Sequence, residues 1–597
     1  MDKSELEKLN PEELISLSET NTTDFRFNRS EIYKVAFDKY TKSGETDKLD
    51  NLKREVLALD LSTHNAPEKR FDSIFTAKNE KGETWGYPNP STDYPKESIE
   101  YYKIRAKTTK NPILKSRYSD IIWEFDKDVE FVKLAIESYL DCSEIYLKNG
   151  WDSEVADSLT RAMELAISIN DSELITHTFE KHQMVVSTLI SEKRFRYLVE
   201  IFEFVLERNK NYKSKINFDG IIELCEEAIK DYKENHLDSF NLQRSFLELI
   251  LKVYRIQKNE QEIQKTKIRI AESYVEEAEW KKVNYPNGYF IAIDFYRLAS
   301  QEYAKLGASF ISKVDELQVK IQEIGSDPSK IQFEEYSVPI TIPNEKVEEY
   351  FKQFNGKKPV EILQMLAFGR GFFPSYEQAK QQAIEHAKEF AFRHVVPFKL
   401  MKHGVTIKII QGSEEKIEYD AIRGICLSYG LSSNFVLKKI FESFKKDYPD
   451  YISQIFELIS SCGYLGKHRL VTIKEGLEAY QEGKYSSALH LILFQVEGIL
   501  RDMLGKLGLP MFSDIKNEMR AKMLTEVLKV LNQIEGLDKD FLKFLEVYLN
   551  DPRGENVRNE VAHGLANPEI FTERNVQILI LILVKLASYK VELKTPT

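Results

Sequence analysis

The segment DPRGENVRNEVAHG (551–564) sets an arginine, an asparagine and a histidine close together as Arg558, Asn559 and His563. Histidine has an ordinary pKa of about 6.5, so it takes or gives a proton near neutral pH. The planar fork of arginine meets a phosphate bidentately as charge builds on it. Asparagine adds an acceptor and two donors that orient either partner. These types suit cleavage of RNA by the substrate's own 2′-hydroxyl, a scheme that requires no metal and no other cofactor. They also suit a polar turn whose side chains cap helices and satisfy loop carbonyls, and an R-x4-H spacing alone does not separate the two.

Arg558 and His563 are five positions apart, so an ideal helix sets them about 140° apart around its axis. Asn559, four before His563, shares the histidine's face and is placed to orient the imidazole or a phosphate oxygen. Either the long arginine reaches round from the first turn, or two copies of the segment face each other across a twofold axis. The second arrangement, a composite site with two arginines and two histidines, fits the spacing better.

Strongly patterned helices surround this segment. Leu489, Leu493, Val496, Leu500 and Met503 fall on one face of a helix, and Glu497 and Arg501, four apart, are spaced to pair on another. Leu524, Val527, Leu528 and Leu531 form a second stripe, and Phe541, Phe544, Leu545 and Tyr548 a third. His490, within an apolar stretch, reads as a satisfied core histidine. DPRG is a turn by composition, Asn556 a suitable N-cap for a short helix, and Gly564 its terminator. Asn567-Pro568 then opens a last helix, with Pro near its first turn. Short loops between such helices predict an up-and-down bundle over 465–597. Glu497 and Arg501 are expected to support the motif, and Arg553, in the turn before it, either helps to hold RNA or is a solvated loop charge.

The segment DPRGENVRNEVAHGL closely resembles the signature of a bacterial HEPN subfamily (higher eukaryotes and prokaryotes nucleotide-binding), whose R-N-x3-H core stands here as Arg558, Asn559 and His563. The helix ALHLILFQVEGILRDML is similar to that subfamily's earlier helix, with Gln495, Glu497 and Arg501 at its polar positions. The match covers about 465–590, and a looser one begins near residue 100 with SRYSDIIWEF and the Trp151 helix. The resemblance implies a helical bundle that dimerises and cuts RNA without metal. It further implies a regulated toxin or an effector of defence against phage, switched on by a sensing region. Some HEPN domains are inactive scaffolds, so it does not by itself establish activity.

The rest of the chain is expected to be mainly α. Residues 1–85 carry helical segments broken by polar linkers, and WGYPNPSTDYPKES marks a boundary after them. Over 86–330 helix follows helix, with stripes such as Ala135, Ile136, Tyr139, Leu140 and Leu159, Ala162, Met163, Ala166. No strict period is present, so this region is a degenerate helical repeat, solenoid-like in type. Residues 331–464 form a small mixed α/β insert. EEYSVPITIPNEK is an extended segment, and 405–410 is expected to pair with 416–419 through Gln411-Gly412-Ser413 as a hairpin.

A net charge of −11 excludes a wholly basic nucleic-acid coat, though not a local basic groove. The four cysteines are scattered and read as reduced core thiols. The GxG at 369–371 lacks the GK[ST] of a phosphate loop, which argues against nucleotide hydrolysis. The N-terminal stretch is charged and carries no apolar core of a signal peptide, and the most apolar run, 576–584, is far short of the ~20 residues of a spanning helix. A cytoplasmic protein with no membrane contact is the expectation. Its partners would be RNA, a second copy of itself, and a sensor or trigger on the N-terminal helices. A non-catalytic scaffold, an RNA-binding subunit of a larger defence complex, and an antitoxin-like subunit working with a neighbouring protein are the alternatives.

Overall fold

The computed structural model describes residues 3–22, 28–66, 69–78, 84–212, 215–327, 329–331, 343–369, 372–390, 396–402, 405–515 and 518–591. Most of the extended segment expected at 334–346, and Arg370 and Gly371 of the GxG, lie outside these residues. The fold is mainly α, with short two-stranded antiparallel hairpins among the described residues. The chain divides into two compact units, 1–324 and 325–597.

In the first unit local sequence sets the helix boundaries. Asn111, Asp128, Asp171, Asn217 and Asn259 stand at N-caps, their side chains accepting from backbone N–H groups of the first turn. Most helices from Val129–Asn149 to Gly288–Lys305 pack on the next in sequence, and Leu198–Glu207 packs on Asp152–Ser168 and on Phe240–Gln257. The stripes at 135–140 and 159–166 are buried. Asp120, fully buried, is compensated by Arg161, which donates from Nε at 3.0 Å and Nη2 at 2.6 Å, and by the Tyr139 hydroxyl at 2.8 Å. Two hairpins, Ser62–Ala66 with Lys69–Asp72 and Phe75–Lys78 with Thr84–Tyr87, occupy a stretch that the sequence suggests is helical segments and linkers.

The second unit holds the residues of interest. Its first hairpin joins β1 (Phe398–Lys402) to β2 (Val405–Ile410), and α1 (Ser413–Ser432) follows. The hairpin expectation is therefore corrected: 405–410 pairs with the segment before it, and 416–419 is helical. Gly412 at φ 75° ends the strand, the Glu415 carboxylate accepts from the Gln411 N–H at 2.9 Å, and Glu414 and Glu415 suit a helix N-terminus. The helix then buries Ile422, Ile425 and Tyr429 at helical spacing.

The principal helices are α2 (Tyr485–Lys506), α3 (Lys539–Leu549), the short α4 (Val557–Ala562) and α5 (Glu573–Ser588), with a hairpin at Phe512–Ile515 and Glu518–Ala521. Each stripe expected on α2, α3 and Leu524–Leu531 is buried. The last helix begins at Glu573 under a Thr572 cap, while Pro568 sits in a separate 3-10 turn, Pro568–Ile570. Every residue of α5 from Asn575 to Leu586 is buried, so this helix runs through the middle of the core and is apolar nearly all round. Its Lys585 is buried among Phe368, Phe373 and Phe541 and donates to the Ala367 carbonyl at 2.7 Å and Asp538 at 2.5 Å. Burial lowers the Lys585 pKa, and the bond to Asp538 works against that. One apolar core extends from Phe354 to Leu586 and includes helices on both sides of position 464.

Candidate active site

The motif helix α4 is six residues long, too short to persist without outside support. Val557 and Val561, one turn apart, fix it to the core. Before it, Gly554 N–H donates to Asp551 O at 2.9 Å and closes the DPRG turn, and a Cβ at Gly554 would lie 2.2 Å from Val547 O. After it, Gly564 at φ 69° takes the left-handed conformation. Gly564 N–H donates to Val561 O at 3.2 Å and Leu565 N–H to Glu560 O at 2.8 Å, the paired bonds of a Schellman termination. Asn556 occupies the N-cap position with φ 57°, but its side chain does not cap. Its Nδ2 donates to Glu560 Oε1 at 3.1 Å and its Oδ1 accepts from Asn559 Nδ2 at 2.9 Å.

Glu497, on the core side of α2 with its side chain 6% exposed, is the hub of the charged residues. Its Oε1 accepts from Arg501 Nη2 one turn along, the spacing expected of the pair. Its Oε2 accepts from Arg558 Nε at 3.1 Å. Arg501 also donates to the Lys522 carbonyl, from Nε at 3.2 Å and Nη2 at 2.8 Å, and so ties down the end of the Glu518–Ala521 strand. Arg558 is steadied on a second edge by Asn559 Oδ1, which accepts from Nη1 at 3.0 Å. Its Nη2 makes no hydrogen bond among the described residues, and the side chain is 27% exposed. Asn559 is fully engaged, since Nδ2 also donates to Asn550 O at 3.3 Å. It therefore orients Arg558, and its amide makes no bond to the imidazole.

His563 stands at the C-cap of α4, exposed, its N–H donating to Asn559 O at 3.0 Å. Its imidazole forms no hydrogen bond or ion pair among the described residues. Arg558, Asn559, Glu497 and Arg501 are thus brought into one network, and His563 lies outside it at the end of the same helix.

Arg553 is held within the protein. Its guanidinium donates to Asp551 at 3.0 and 2.8 Å and pairs with Glu418 of α1 at 2.9 Å, with 11% of the side chain exposed. Burial pushes the Asp551 carboxyl up, and the Arg553 side chain with its N–H more than reverses this, so the pKa lies below the ordinary carboxylate value. His490 is exposed rather than buried in the core; its Nδ1 meets the Ser486 carbonyl at 2.8 Å and its ring stacks on Phe571 at 5.1 Å. The four cysteines are free thiols, Cys426 half-buried and the others buried.

Two further residues at the site are not evident in the sequence reading. Glu560 is buried on the same face of α4 as Val557 and Val561, and Lys402 of β1 reaches it at 2.7 Å. The available signal is a carboxylate at the apolar spacing of a short helix, which requires a cation from elsewhere.

A family profile described as a domain of unknown function (DUF7380) matches residues 6–178, which lie in the first unit and short of the candidate site. No curated protein and no solved structure matches the chain. Among the described residues no helix is long and apolar enough to cross a membrane.

Proposed function

We infer that the chain is a metal-independent RNA endonuclease of the HEPN type, acting through Arg558, Asn559 and His563. The supporting observation is the division of labour around α4. Arg558 is pre-oriented by Glu497 and Asn559 with its Nη2 unbonded among the described residues, and His563 ends the same helix with its imidazole exposed. An arginine held in this way loses little freedom on meeting a phosphate, and an exposed imidazole remains available for proton transfer. Among the described residues no side chain bonds the His563 imidazole, and this favours a composite site in which a second copy supplies contacts to the ring across a twofold axis. Regulation as a toxin or anti-phage effector through the N-terminal helices, which would meet a sensor or trigger, belongs to the same reading.

The same freedom of the imidazole is also compatible with a non-catalytic scaffold or RNA-binding subunit. Cells expressing wild type, Arg558→Ala or His563→Ala, with total RNA run on a denaturing gel, separate the two. The nuclease reading expects toxicity and RNA fragments ending in 2′,3′-cyclic phosphates in wild type alone. Indifference to His563 in uninfected and phage-infected cells would sink it.

A further inference from the structure

The ion pair between Lys402 and Glu560 joins the motif helix to a hairpin far upstream in the chain. Glu560 lies between Asn559 and His563 in sequence, its side chain is 4% exposed, and it faces the protein beside Val557 and Val561. A buried carboxylate of this kind is costly unless it is compensated. Among the partners of Glu560, the Asn556 amide supplies a donor at 3.1 Å, and Lys402 Nζ, 28% exposed, supplies a full positive charge at 2.7 Å.

Lys402 ends β1, whose pairing with β2 is set by the register Phe398 with Ile410 and Lys402 with Val405. The hairpin is itself anchored. Ile410 is fully buried, and Phe398 packs edge-on to Tyr419 of α1 at 5.0 Å. One end of the hairpin is therefore held independently of α4, and Lys402 stands four residues along the same strand. The motif helix, which is too short to hold itself, is tied from α2 through Glu497 and Arg558 and from the hairpin through Lys402 and Glu560.

We propose that Lys402 is a positioning residue for the candidate site: by compensating Glu560 it holds α4 in place and thereby sets where His563 stands one turn further on. Lys402 touches no reacting group in this scheme. The proposal deepens the ribonuclease reading and rests on it for its cleavage measurement, while its spectroscopic measurement is independent of catalysis.

The test uses the full chain labelled with carbon-13 at histidine Cε1, with the His563 signal assigned by its loss in His563→Ala. Lys402→Met is expected to shift and broaden that signal and, on a fluorescent RNA, to lower kcat by about 100-fold with little change in KM. Lys402→Arg keeps the charge and is expected to restore both. The double variant Lys402→Met with Glu560→Gln removes the buried charge and leaves an amide for Asn556, so it too is expected to restore both. Should Lys402→Met fail to fold, the double variant carries the test, since it is expected to fold with a native His563 signal. A folded Lys402→Met protein with an unchanged signal, or a folded double variant whose signal stays displaced, overturns the proposal. Absence of cleavage by wild type counts against the ribonuclease reading alone, because the His563 signal still reports on Lys402.

Discussion

Arg558 Nε lies 3.1 Å from Glu497 Oε2, a bond across 61 residues that fixes the motif helix to α2. The same carboxylate holds Arg501, so two guanidinium groups converge on one buried charge. Glu497→Ala leaves both cations beside each other with nothing between them. The expected loss is about 3 kcal/mol, because breaking a buried pair strands its partners. In scanning calorimetry that corresponds to a fall of roughly 6–12 °C in the transition of a unit of this size. Glu497→Gln, which keeps an acceptor, is expected to fall less, and equal stability of all three proteins would contradict the role given to Glu497.

Arg553→Met tests whether that arginine belongs to the fold rather than to the RNA-contacting surface. Asp551, buried, loses the partner that keeps its pKa low, so at neutral pH the variant is expected to be less stable than wild type. A depressed carboxylate pKa contributes stability above the ordinary value near 3.8 and loses it as the pH falls through the folded value. The gap between variant and wild type therefore narrows on acidification, which urea titrations at pH 7 and pH 3.5 would measure. A gap that widens in acid refutes this assignment.

His182 gives the first unit its own acid sensitivity. It is buried, stacked on Phe179 at 5.4 Å, and neither ring nitrogen has a hydrogen-bond partner among the described residues. Burial lowers its pKa from 6.5 to about 4. Between those values the unfolded chain binds more protons than the folded one, so stability falls as the pH drops. The expected contribution is about 3 kcal/mol lost from pH 6.5 to pH 4. His182→Leu should remove that part of the slope, and parallel slopes for the two proteins would exclude it.

Gly564→Ala tests the termination of α4. The backbone there is at φ 69° with nothing near a new Cβ, so the cost is conformational, about 1 kcal/mol. Hydrogen exchange at Leu565 N–H, which closes the motif on Glu560 O, is expected to quicken by roughly fivefold. Exchange at the wild-type rate would show that the glycine is not needed for that geometry.

Much of this is legible in the chain because helical burial repeats locally. Leu489, Leu493, Val496, Leu500 and Met503 announce their face, and all five are buried. Glu497 and Arg501 are neighbours by spacing, and they pair. Side-chain partners from distant segments are not announced in that way. The acceptors of Asn559 are chosen by the turn at 550–556, so its role in holding Arg558 emerges only once that turn is built. The strand at 405–410 suits a partner on either side, and Gly412 with Glu415 decides for the upstream one by starting a helix. Lys402 has no local mark at all, whereas Glu560 among valines has one. The short hairpins at 62–72, 75–87 and 512–521 lack the length of alternation that would distinguish them from loops.

The burial of α5 bears on the order in which the protein is made. This helix, wrapped on all sides by the core of the second unit, follows the motif in sequence. On a translating ribosome, residues 551–564 emerge before the central post around which their supports pack. Glu497 and Arg558 are both synthesised by then, but the core that sets their separation is completed only after Ser588 has left the exit tunnel. On the ribonuclease reading, delayed assembly of this kind would keep a nascent chain from attacking the messenger and ribosomal RNA at the moment of its own synthesis.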